Sequence, residues 1–120
     1  MNSKQKEEKT IVKTEAKFLP ISPRKLRLIV EAAKTMPPEQ AVKQLSFSNK
    51  KGSKFLVKAI KTALADAEHN FDLNKDNLVF EEILVNEGPA LKRRDKSKRM
   101  FRYGIIRKRR SHLIVKVREK

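Results

Sequence analysis

Eleven lysines and arginines fall within the nineteen residues 92–110 (KRRDKSKRMFRYGIIRKRR), opposed by a single acid, Asp95. The segment therefore carries +10 of the chain's formal +16. A run of this kind cannot be folded into an interior, because taking an unpaired ion out of water costs on the order of several kcal/mol. Fourteen acids in the whole chain cannot neutralise thirty bases either. The segment must lie at the surface, and its charge suits a polyanion, so an RNA- or DNA-binding arm is the first expectation. Phe101 and Tyr103 sit inside it, where they could stack on bases or steady a ribbon as cross-strand partners.

The remainder of the chain narrows the class. Its 120 residues suit one domain with a modest core, and 38% hydrophobic against 37% charged residues leaves little apolar material to spare. The absence of cysteine removes disulfides, thiolate metal sites and thiol nucleophiles. His69 and His112 are too far apart in sequence to form a close-spaced metal pair, and no cofactor is expected. No apolar run approaches the roughly 20 residues of a membrane span. Residues 1–9 (MNSKQKEEK) mix acids and bases without an apolar stretch, unlike a signal or transit peptide, and read as a flexible charged tail. A cytoplasmic protein without a membrane partner is expected.

Apolar spacing then orders the elements. Residues 10–18 (TIVKTEAKF) partly alternate and suggest a short strand. Ser22-Pro23 is a helix start, a hydroxyl cap before proline at the first helical position. Leu26, Ile29, Val30 and Ala33 share one face of that helix, with Arg24, Lys25 and Arg27 pointing elsewhere. After Pro37-Pro38, residues 39–47 form a short second helix using Val42 and Leu45. A third helix runs from a Ser48 cap to about Asn70, with Gly52 its weak point. Leu56, Ile60, Ala63, Leu64 and Ala67 line its inner side. Lys50, Lys51, Lys54, Lys58 and Lys61 gather opposite, either as a solvated face or as a second phosphate-contacting ridge.

The C-terminal half is β-rich. Residues 78–87 (LVFEEILVNE) read as a strand, with Phe80 and Leu84 on one face and Val79, Ile83 and Val85 on the other. In residues 111–117, Leu113, Val115 and Val117 share a face, with His112 and Lys116 on the reverse. If both strands continue into the basic run they make a hairpin with arms of about eleven residues, roughly 35 Å at ~3.3 Å per residue. Such a ribbon either projects and is gripped by a partner or stays disordered until bound. Gly88-Pro89 marks a bend where the strand leaves the body, and Gly104 a turn or bulge. A nuclease built on Glu68 and His69 lacks a metal set or nucleophile, so His69 reads as capping helix carbonyls or touching RNA. A free-standing DNA-binding protein fits the charge, but the third helix offers no base-reading start of a helix-turn-helix.

Taken in order, the motifs resemble the bacterial-type large-subunit ribosomal protein L-twenty-two family. SPRKLRLIVEAA at 22–33 resembles its first helix, and SNKKGSKFLVKAIKTALADAEHN at 48–70 its long helix, ending Ala67-Glu68-His69-Asn70. LVFEEILVNEGPALKR at 78–93 carries the Glu-Gly-Pro and Leu-Lys-Arg elements, and Lys108-Arg109-Arg110-Ser111-His112 resembles the returning strand. The chain departs from the family at Asn86, where aspartate is frequent, and at Arg110, where threonine is common. Its tip, SKRMFRYG at 97–104, is bulkier and more aromatic than the family's small-residue tip.

The resemblance implies an α+β fold: three helices packed on a small antiparallel three-stranded sheet, with a long protruding β-hairpin at about 88–110 in a single domain spanning 10–120. It implies a structural rRNA-binding protein, not an enzyme, that aids assembly and lines the nascent-peptide exit tunnel, with neighbouring large-subunit proteins as further partners. The rRNA contacts would come from Arg24, Lys25 and Arg27, from the Lys50, Lys51, Lys54, Lys58 and Lys61 ridge, and from the arm. On the arm these are Lys92, Arg93, Arg94, Lys96, Lys98, Arg99 and Arg102 outbound, then Arg107, Lys108, Arg109, Arg110 and His112 on the return. Met100, Phe101, Arg102 and Tyr103 would form the tip that approaches nascent peptide.

Overall fold

The computed structural model describes residues 10–95 and 104–120. In chain order its elements are β1 (Ile11–Leu19), α1 (Pro23–Ala33), α2 (Pro38–Ser46), α3 (Lys51–His69) and a 3-10 turn (Lys75–Asn77), then β2 (Leu78–Glu87), β3 (Leu91–Asp95), β4 (Gly104–Lys108) and β5 (Ser111–Glu119). An antiparallel sheet in the order β1-β5-β2 packs against the three helices, and β3 and β4 form a separate two-stranded sheet. This is the expected α+β architecture. The tail at 1–9 and the stretch 96–103 lie outside the described residues.

The helices bury the faces that spacing predicts. Leu26 and Ala33 of α1, Leu45 of α2, and Leu56, Ile60, Ala63 and Ala67 of α3 meet Leu113, Val115 and Val117 of β5 in one core. Alanines at 59, 63 and 67 keep the α3 surface low, so helix and sheet can approach closely. The two hydroxyl caps are corrected. Ser22 occupies the cap position of α1 but its side chain makes no capping bond. Helix α3 begins later than Ser48, with Lys50 in the cap position.

Gly52 is also more than a weak point. A Cβ placed there would come within 2.6 Å of Ile29 Cδ1 and 2.9 Å of Ile21 Cδ1. Here α1 and the segment before it press on the first turn of α3, and glycine's cost in helix propensity is offset by that approach.

In β2 the expected alternation fails upstream of Ile83. The pairing shifts between Phe80↔Val117 and Glu82↔Lys116, so Glu81 is an extra, bulged residue. Leu78 and Phe80 therefore join Ile83 and Val85 on the core side, and Val79 goes to the reverse. In a regular strand one of two successive acids would point at the core. The bulge lets Glu81 and Glu82 both avoid it, where they pair with Arg118 and Lys116.

The hairpin is likewise not one continuous ladder. Gly88 donates its N–H to the Arg110 carbonyl at 2.9 Å, closing the body sheet, and pairing resumes only at Leu91↔Lys108. Gly88 and Pro89 thus lie at the expected bend between β2 and β3. Gly104 is not a turn or bulge; it opens β4, paired with Asp95.

Candidate nucleic-acid interface

Three cationic stretches that are far apart in sequence meet at the root of the hairpin. A cleft of about 1070 Å³ opens between the first turn of α1 and the β3–β4 ribbon. Arg24, Lys25 and Arg27 border it from α1, Lys51 from α3, Arg93 from β3, and Arg107, Lys108, Arg109 and Arg110 from β4 and the link to β5. Nine cations face one acid, Glu87, whose Oε1 lies 3.4 Å from Arg109 Nη1. The start of α1 adds to this potential. No acid stands in its first turn and no side chain caps it, while Ser22 and Pro23 line the cleft. Its unpaired amides and dipole end, roughly half a positive charge, favour an anion there.

The scaffold around the cleft is held by a few specific bonds. Ser111, fully buried at the start of β5, donates its hydroxyl to the Ile21 carbonyl at 2.6 Å. That bond fixes the β1–α1 connection, one wall of the cleft, against the strand that carries the hairpin's return. Arg27 donates from Nη2 to the Val85 carbonyl at 3.0 Å, tying α1 to β2 and leaving its other N–H groups for a ligand. Gly88 allows the opposite wall to close. A Cβ there would meet the Arg110 carbonyl carbon and oxygen and His112 Cε1, each at 3.3 Å.

The other expected contact residues are distributed around this centre. Lys54, Lys58 and Lys61 are exposed along α3 and extend from Lys51 over about 15 Å at ~1.5 Å per residue. Lys50 borders a smaller groove beside Leu28, Ile29 and Leu45. Lys92 and Arg94 are exposed on β3 without lining the cleft, and Lys92 stands directly across the ladder from Arg107. Two cations facing one another on a ribbon are unfavourable unless an anion is shared. His112 lies on the reverse face of β5, where its Nδ1 accepts the Phe18 N–H at 3.1 Å. Lys96, Lys98, Arg99 and the tip residues Met100, Phe101, Arg102 and Tyr103 fall outside the described residues.

No hydrolytic arrangement emerges around Glu68 and His69. Glu68 Oε2 lies 2.7 Å from Lys75 Nζ, and that hydrogen bond holds the carboxyl below, and the ammonium above, their ordinary values. A carboxylate committed to a lysine is a poor partner for a histidine base. Among the described residues no group of acids and histidines could hold a metal ion. Nor is any described helix long and apolar enough to cross a membrane.

Comparison with known proteins agrees with this geometry. Residues 14–118 match the family model described as Ribosomal protein L22p/L17e. The chain belongs to that ribosomal protein family. It is 42% identical over 104 residues to the large ribosomal subunit protein uL22 of Petrotoga mobilis, covering 87% of this chain and 69% of that protein. It is 40% identical over 105 residues to the uL22 of Desulforamulus reducens, covering 88% and 92% respectively. The L22p/L17e chain is thus a ribosomal protein of the large subunit acting in translation, a structural constituent and not an enzyme.

Sequence reasoning found the cations of this L22p/L17e member but not their convergence. The cleft depends on Ser111 holding Ile21 and on Gly52 admitting Ile21 and Ile29, contacts between residues far apart in the chain. Phe18 was missed altogether, because a lone aromatic at the end of a weak strand gives no signal until its backbone is seen.

Proposed function

We propose that this chain binds 23S-type rRNA in the large subunit through the cleft at the hairpin root, the α3 lysine ridge and the extended hairpin. In doing so it aids subunit assembly and lines the nascent-peptide exit tunnel. One observation carries the reading: nine cations and an uncapped helix start converge on a cleft that holds a single acid. Arginine forks can bridge two phosphate oxygens and lysines neutralise as point charges, so backbone contacts would position the protein and RNA shape would supply specificity. Residues 10–120 act as one domain with the hairpin at about 88–110, and residues 1–9 as a tail. Neighbouring large-subunit proteins and, at the tip, nascent peptide are the further partners, in the cytoplasm.

The test removes the arm. Replacing residues 92–110 by a short Gly-Ser turn deletes most of the cleft's cations but none of the buried core. The trimmed protein is expected to keep its helical circular dichroism while losing most of its affinity for a large-subunit rRNA transcript. Undiminished affinity would refute the reading.

A further inference from the structure

Phe18 combines three features that do not ordinarily occur together. Its φ is 59°, in the left-handed region that L side chains rarely adopt. It is 53% exposed. And it is clamped from both backbone and ring: its N–H donates to His112 Nδ1 at 3.1 Å, and the two rings stand perpendicular, 86° apart, with centroids 5.0 Å apart.

The local pairing explains how this arises. Ala16 pairs with Leu113 and Leu19 with Ser111, so β1 spends one residue more than β5 over the same interval. That is a β-bulge with a left-handed residue, a position where glycine is the cheapest occupant. A large aromatic stands there instead, strained, half in water and fixed in orientation. Backbone strain at an exposed residue points from geometry to use.

We propose that Phe18 is a stacking platform for an unpaired nucleobase of the RNA whose phosphates occupy the cleft. The placement supports this class of ligand. Phe18 lies two residues before Pro20, which lines the cleft, so a strand whose backbone enters the cleft has a base within reach of the ring. Lys17 and Arg110 flank the bulge in sequence and pairing, and of the acids on adjoining positions, Glu15 and Glu87, the second is held by Arg109. His112, committed at Nδ1 to the Phe18 amide, is the positioning residue that holds the ring outward. The inference rests on the RNA-binding reading above and adds a base contact to what are otherwise phosphate contacts.

The chain contains no tryptophan, so Phe18→Trp creates a single indole reporter in the full-length protein. Addition of a large-subunit rRNA transcript should quench its emission. Phe18→Gly relieves the left-handed backbone and removes the ring; it should retain the native urea midpoint yet bind the transcript about 5- to 150-fold more weakly. Should glycine disturb folding, Phe18→Leu keeps an apolar side chain without a π face and should show the same loss. Unquenched emission at saturating RNA, with native affinity in both variants, would overturn the proposal while leaving the RNA-binding reading intact. An emission shift that appears only on adding purified large-subunit proteins would overturn it in favour of a protein neighbour. Failure of the native protein to bind the transcript at all would overturn both.

Discussion

Replacing Arg24, Arg107 and Lys108 together by glutamine tests whether the cleft, and not the overall charge, binds RNA. All three side chains line the cleft, and none is in an ion pair with another described residue, so their loss breaks no internal bridge. A control triple, Lys34→Gln with Lys43→Gln and Lys120→Gln, removes three exposed cations that do not line it. Both triples lower the formal charge of +16 by the same amount. Long-range attraction therefore changes equally in the two, and only local phosphate contact differs.

Each phosphate neutralised contributes about 0.7–0.9 to the slope of log affinity against log salt. Three lost contacts should flatten that slope by about 2–3. Across a rise from 50 to 200 mM salt, this removes about 20–40-fold of the salt-induced loss. The cleft triple should accordingly bind a large-subunit rRNA transcript much more weakly than native protein at 50 mM salt and approach it at 200 mM. Filter binding at four or five salt concentrations gives the slope directly. Equal slopes for the cleft and control triples would refute the argument, since charge would then act without regard to place.

Three further outcomes test the scaffold. Ser111→Ala leaves the Ile21 carbonyl buried without its donor and should cost about 1–3 kcal/mol, read as a lower urea midpoint with unchanged slope. Gly52→Val gains helix propensity but forces methyls onto Ile29 and Ile21, so it should destabilise by about 1–3 kcal/mol in the same measurement. A Gly52→Val protein as stable as native would mean that the helices reseat freely. The Glu68 carboxyl, held down by Lys75, should titrate below ordinary glutamate by NMR and return towards it in Lys75→Ala. Because its folded value is depressed, the pair's stabilising effect is present above the ordinary glutamate value and lost as pH falls through the folded one.

What could be read from the chain, and what could not, divides along physical lines. The inner faces of α1 and α3 were legible because burial follows a period that propagates through Leu26, Ile29 and Val30 or Leu56, Ile60 and Ala63. Strand β5 was legible for the same reason. The bulge at Glu81 was not, since alternation offers no place for an extra residue and the two acids alone do not say which of them is surplus. Ser22 and Ser48 misled because a hydroxyl before a helix is only an opportunity, and the chain's path decides whether it is taken. Among the candidate contacts, exposure of the lysines and arginines followed from charge alone. Their gathering into one cleft followed from the body fold, which no local pattern encodes.

That gathering has an energetic consequence for the isolated protein. Lys92 and Arg107 oppose each other across the ribbon, and Arg24 and Lys25 face the cations of the hairpin root across the cleft. Every one of these juxtapositions is repulsive in the chain alone and attractive once phosphates lie between them. The hydrophobic core contains no residue of β3 or β4, so it cannot hold the ribbon against that repulsion. What holds the root is a short set of bonds, Gly88 to Arg110, Ser111 to Ile21 and the Phe18–His112 clamp, together with the exposed Glu87–Arg109 ion pair. They fix where the arm departs from the body, while residues 92–110 keep a net charge of +10. On the proposed reading, RNA completes the electrostatics of the fold as well as serving as its ligand, and a body stabilised independently of the arm keeps the cleft open until that RNA arrives.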